Sequence, residues 1–126
     1  MIVDDDAEMR ALLRDALERD GFDVSEDAGD RLESLLEGRP PDAMVLDKQM
    51  AGGNGLDLLS GIRRRHPGLP VIVVTAFGGT EVEAEALRRG ATYYIDKPFR
   101  VARLLVMLRA ALSHRAPRVS RWAEYG

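Results

Sequence analysis

The chain of 126 residues contains no cysteine, which excludes disulfides and thiolate metal sites and is compatible with a reducing compartment. Aromatic residues make up only 6% of it, and lysine is nearly missing: Lys48 and Lys97 stand against sixteen arginines. No apolar stretch approaches the roughly 18 residues of a membrane span, and the opening Met-Ile-Val-Asp-Asp-Asp is not that of a secretory signal. Charges are dispersed within a formal net charge of −3, so neither a basic field for nucleic acid nor an acidic tail is expected. These absences leave a soluble cytoplasmic protein as the expectation, long enough for one compact domain and too short for two.

What is present is a repeated switch between short apolar runs and helical spacing. Residues 1–3 are followed by Met9, Leu12, Leu13, Ala16 and Leu17, which predict a helix over about 6–20 with Asp6 as N-cap and Gly21 as its stop. Alternation over 22–24 predicts an edge strand wet on one side. Leu32, Leu35 and Leu36 predict a second helix ending before Gly38. A third strand, 43–46, leads into a glycine-rich loop over 48–55, and Leu56, Leu59 and Ile62 carry a third helix to Arg65. The uninterrupted run 71–74 reads as a strand buried on both faces. Thr80-Glu81-Val82-Glu83 has capping-box form, predicting a fourth helix that starts after Thr80 and stops at Gly90. A fifth strand at 93–95 and a last helix from Val101 to about His114 complete the series. Five strands alternating with five helices predict an α/β fold, a doubly wound parallel sheet of order 2-1-3-4-5, with 115–126 as a tail or linker stub.

In such a sheet, ligands bind outside the carboxyl ends of the strands. Asp4 and Asp5, Asp47, Thr75 and Lys97 each follow a predicted strand closely, so they gather at that one edge. Carboxylates ~4 Å apart repel by about 4 kcal/mol per pair at an effective dielectric of ~20. A divalent cation relieves that cost, and hard oxygen donors suit Mg²⁺, with Mn²⁺ as the alternative. An aspartate carboxylate can attack phosphorus, while an ammonium and a hydroxyl neutralise and fix the phosphoryl oxygens. In an arginine-rich chain, Lys97 supplies the compact ammonium that a crowded phosphate site accepts.

These pieces resemble the receiver domains of two-component response regulators, the CheY-like family, over about residues 1–114. The resemblance rests on Val3-Asp4-Asp5, Leu46-Asp47 with Met50 and Gly55 downstream, Val74-Thr75-Ala76, and Tyr94 ahead of Lys97-Pro98-Phe99. It implies a flavodoxin-like fold in which Asp47 takes phosphate from a sensor histidine kinase or a histidine phosphotransfer protein. It further implies that Asp5, Asp47 and the Gln49 backbone carbonyl ligate Mg²⁺, with Asp4 acting mostly through metal-bound water. Lys97 would pair with the phosphoryl group, and Thr75 would move toward it together with an aromatic switch, Tyr94. The output would be a face made of the fourth helix, fifth strand and fifth helix, docking a downstream protein, an effector domain or a second copy. The only catalysis implied is of the domain's own phosphorylation and dephosphorylation.

Three positions depart from the family pattern. Ala51 stands where proline is common, which loosens the loop after Asp47. Asp96 precedes Lys97, where it either draws the ammonium away or points to solvent. The first strand has only three residues before Asp4, so it is either weakly paired or completed by something else. An unphosphorylated interaction scaffold is therefore a competing expectation. A small phosphohydrolase is weaker, because no general acid or cap is evident and His66 and His114 sit near helix ends.

Overall fold

The computed structural model describes residues 1–29, 37–38, 40–50 and 53–115. One parallel sheet contains β1 (Ile2–Val3), β2 (Glu26–Asp27), β3 (Met44–Asp47), β4 (Val71–Thr75) and β5 (Tyr93–Asp96). Their order is β2-β1-β3-β4-β5, the doubly wound arrangement expected. Four complete helices are described: α1 (Ala7–Arg19), α2 (Gly55–Arg65), α3 (Thr80–Arg88) and α4 (Val101–Arg115). The helix expected over Leu32, Leu35 and Leu36 lies outside the described residues, as do Ala51 and the tail beyond Arg115. Glu37 and Gly38 are helical, so the chain does not leave that conformation before Gly38 as expected.

Alternation along the strands divides the core into two layers. Val3, Met44, Leu46, Val71 and Val73 face Leu56, Leu59, Ile62 and Ala86 of α2 and α3. Ile2, Val45, Ile72, Val74 and Ile95 face Leu13, Leu17, Leu104 and Leu108 of α1 and α4. Side chains of period two thus line opposite faces, and each buried aliphatic residue contributes about 1.5–3 kcal/mol relative to exposure. The short first strand is paired on both sides, Val3 opposite Asp27 and opposite Leu46, and both its residues are buried.

Two expected elements are shifted. The second strand is not 22–24 but Glu26–Asp27. β1 is only two residues long, and its backbone selects the partner: Ile2 N–H donates to the Ser25 carbonyl (2.8 Å) and Asp4 N–H to that of Asp27 (3.1 Å). Residues 22–24 serve the turn out of α1, where Phe22 N–H donates to Leu17 O, while Val24 still packs inward. The Thr80 capping box also does not form. Gly79, at φ +125°, is the N-cap and gives its carbonyl to Glu83 N–H (2.9 Å), so Thr80 is already the first helical residue.

The glycine-rich loop forms an antiparallel ribbon, Gln49–Met50 against Gly53–Asn54, before Asn54 caps α2 through Leu56 N–H (2.8 Å). Gly55 N–H donates to Lys48 O (2.6 Å), bringing the backbones so close that a Cβ at Gly55 would lie 2.2 Å from the Asp47 carbonyl oxygen. Gly55→Ala is therefore expected to destabilise the fold by about 1–3 kcal/mol in urea unfolding. An unchanged midpoint would show that the ribbon yields freely.

Candidate functional site at the carboxyl edge of the sheet

The carboxyl edge collects the expected side chains because the ladders end there together. Asp4 follows Val3, which pairs with Leu46, and Asp47 follows Leu46 and itself pairs with Val74, the residue before Thr75. Carboxylate oxygens of Asp4, Asp5 and Asp47 lie within 4.8 Å of one another, Asp4 and Asp47 buried and Asp5 exposed. Lys97 Nζ stands 3.6 Å from Asp4 Oδ2 and 3.7 Å from Asp47 Oδ2. These distances give ionic attraction without a well-formed hydrogen bond, so the ammonium bridges the two acids loosely. Its backbone is held more firmly, since Lys97 N–H donates to Thr75 O at 2.7 Å.

Asp4 Oδ1 accepts from Asp6 N–H (2.9 Å), and Asp47 Oδ1 accepts from Gln49 N–H (3.3 Å). Asp6 caps α1 as expected, accepting from Glu8 and Met9 N–H groups, and so takes no part in the cluster. Burial, reinforced by the charge of Asp4, pushes the Asp47 carboxyl from 3.8 up to about 6 against the opposing pull of Lys97. Three hard oxygen donors in one mouth match a small divalent cation, and the repulsion among them is what such an ion removes.

Thr75 is fully buried, its Oγ1 accepting from Phe77 N–H at 3.1 Å. Tyr94 is half-buried and donates its hydroxyl to Asp96 Oδ1 at 2.7 Å. Asp96 thus neither draws Lys97 off nor merely faces solvent. Gly78 makes this pair possible: a Cβ there would meet the Tyr94 hydroxyl at 1.9 Å and Asp96 Oδ1 at 2.0 Å. Desolvation first, then the Asp96 contacts, push the Tyr94 phenol up to about 12. Sequence reasoning missed Gly78, for which nothing local distinguishes it from any loop glycine. It also missed Arg10, whose Nη1 donates to the Asp4 carbonyl at 2.5 Å.

A family model for the response regulator receiver domain matches residues 1–109. The chain belongs to this family. It is 36% identical over 114 residues to the DNA-binding transcriptional regulator NtrC of Klebsiella pneumoniae, covering 90% of this chain and 24% of that protein. It therefore spans about a quarter of the length of the curated relatives it matches. The receiver domain of NtrX from Brucella abortus superposes with a TM-score of 0.83 at 33% identity, covering 89% of this chain and 96% of that one. The beryllofluoride-activated NtrC4 receiver domain dimer gives 0.83 at 28%, covering 91% and 96%. The receiver assignment and the fold expected from sequence are thereby established.

The raised Asp47 carboxyl has a consequence for stability without divalent cations. Between about 3.8 and 6 the folded receiver holds a proton that the unfolded chain releases, so this group's contribution declines as pH rises and is lowest above about 6. In EDTA at about pH 7.5, Asp47→Asn is expected to exceed wild type by about 1–3 kcal/mol in urea unfolding, the advantage vanishing near about pH 4. An advantage that grows on acidification would contradict the burial argument.

Proposed function

We propose that this receiver is phosphorylated on Asp47, using a divalent cation held by Asp5, Asp47 and the Gln49 carbonyl, with Asp4 acting through metal-bound water. The observation that carries the proposal is the convergence of three carboxylates within 4.8 Å, with one ammonium bridging two of them. Mg²⁺, or Mn²⁺ in its place, supplies charge neutralisation for the phosphoryl oxygens when bound. An Asp47 oxygen forms the new bond to phosphorus as the phosphohistidine P–N bond breaks, the electron pair leaving with the imidazole of the donor. Lys97, already 3.7 Å from Asp47, pairs with the incoming charge. Thr75 can keep accepting from Phe77 N–H while its own O–H donates, because a hydroxyl has one proton and two lone pairs.

In this reading the donor is a sensor histidine kinase or histidine phosphotransfer protein, the setting is cytoplasmic, and the only chemistry is the domain's own phosphorylation and hydrolysis. Among the described residues no helix is long and apolar enough to cross a membrane. Residues 1–114 are the receiver and 115–126 a tail or connection to a further domain. The switch is Tyr94, and the responding face is α3, β5 and α4, where Leu87 and Val106 are exposed apolar residues suited to a partner. A homodimer is one such partner, a reading supported by the dimeric NtrC4 receiver. DNA contact is not assigned to this chain, since the match to NtrC covers only 24% of that DNA-binding regulator.

Incubation with Mg²⁺ and acetyl phosphate should add one phosphoryl mass to the chain, lost on addition of EDTA beforehand and lost in Asp47→Asn. Lys97→Ala should retain the fold but slow the labelling by about tenfold or more. No adduct on a folded wild-type chain would favour the unphosphorylated scaffold instead.

A further inference from the structure

Behind the acidic pair stands a bracket of side chains that the phosphorylation chemistry does not itself use. Arg10, early in α1, leans toward the helix N-terminus as helical side chains do. Its Nη1 donates to the Asp4 carbonyl (2.5 Å) and its Nε to Glu26 Oε1 on β2 (3.1 Å). The second Glu26 oxygen accepts from Arg14 Nη1 (2.7 Å), and Arg14 Nε donates in turn to Glu18 Oε2 (3.1 Å). The Arg10 and Glu26 side chains are only 20% and 24% exposed, so this pair is screened less than the surface pairs around it.

The bracket acts where the ladder has run out. Asp4 N–H is tied to β2 through Asp27 O, but beyond it the chain leaves the sheet toward α1. The peptide between Asp4 and Asp5 is planar, so fixing the Asp4 carbonyl oxygen also fixes the direction in which Asp5 departs. Asp5 is the exposed member of the cluster and gains most from that constraint. We propose that Arg10 is a positioning residue for the cation site, holding the Asp4–Asp5 peptide so that both carboxylates face the same mouth as Asp47. This inference rests on the cation reading given above.

Charge and position make opposite demands, which makes the proposal decidable. As a like charge near a cation, Arg10 would weaken metal binding, and its removal would tighten it. As a brace, its removal loosens the site, and residues that orient metal ligands typically carry about tenfold or more in affinity. Calorimetric titration of the whole chain with Mg²⁺ separates the two, with folding checked by urea unfolding in EDTA. Arg10→Ala is expected to raise Kd by about tenfold. Arg10→Lys, which keeps the charge but cannot grip Asp4 O and Glu26 together, should fall between wild type and Arg10→Ala. Arg14→Ala, which touches Glu26 but not Asp4, should stay within about twofold of wild type. Tighter or unchanged binding in folded Arg10→Ala, or wild-type affinity in Arg10→Lys should the alanine variant not fold, would overturn the proposal while leaving the cation site standing. A wild-type chain that takes up no Mg²⁺ would overturn the cation reading, and this inference with it.

Discussion

Mutual repulsion between Asp4 and Asp47 is the constraint around which this receiver is arranged. Neither acid chooses its neighbour: each is delivered by a central strand whose hydrogen-bond register is set by buried aliphatic residues on both sheet faces. At ~4 Å and an effective dielectric of ~20, two ionised carboxylates oppose each other by about 4 kcal/mol. Packing of β3 and β4, whose apolar residues are all buried, overrides that penalty and leaves it stored at the loop tips. Burial first, and the charge of Asp4 second, raise the Asp47 carboxyl, and the loosely placed Lys97 offsets them only in part. A site held in this condition responds to anything that adds positive charge or removes a negative one.

Most of that arrangement was legible in the sequence, for a physical reason. Runs such as 71–74 can be satisfied only between two layers, and polar residues placed directly after them must emerge at one edge, so Asp4, Asp47, Thr75 and Lys97 could be grouped without coordinates. Asp6 was legible as a cap because its role is local. The second strand was not, since the choice of 26–27 over 22–24 is made by the backbone of β1, a partner distant in sequence. Thr80 misled for a related reason: the box pattern is present, but the positive φ at Gly79 starts the helix one residue early. Arg10 and Gly78 were invisible because each matters through a contact across elements, to the Asp4 carbonyl in one case and to the Tyr94–Asp96 pair in the other.

On the proposed switch, Asp96 changes the energetics of Tyr94 in a definite direction. The hydroxyl bond to a carboxylate is charge-assisted, and such bonds contribute about 1.5–3 kcal/mol when shielded and less where water competes. Asp96 is exposed, so the lower part of that range applies. Inverting a two-state equilibrium from 1:99 to 99:1 takes about 5.5 kcal/mol of differential interaction. The Tyr94–Asp96 bond can therefore supply a minor part of the resting bias, and most of it must come from packing around Thr75 and from unrelieved charge at Asp47. In the proposed reading, phosphorylation would act on both at once, offering Thr75 a new acceptor and, through the negative charge added at Asp47, Lys97 a new partner. The ammonium is already balanced between two acids at near-equal distance, so a phosphoryl group on Asp47 needs to displace no strong bond to recruit it. The resting site is thus poised by weak contacts around a strong repulsion, and that is the condition under which a single added group can change the packing of a whole face.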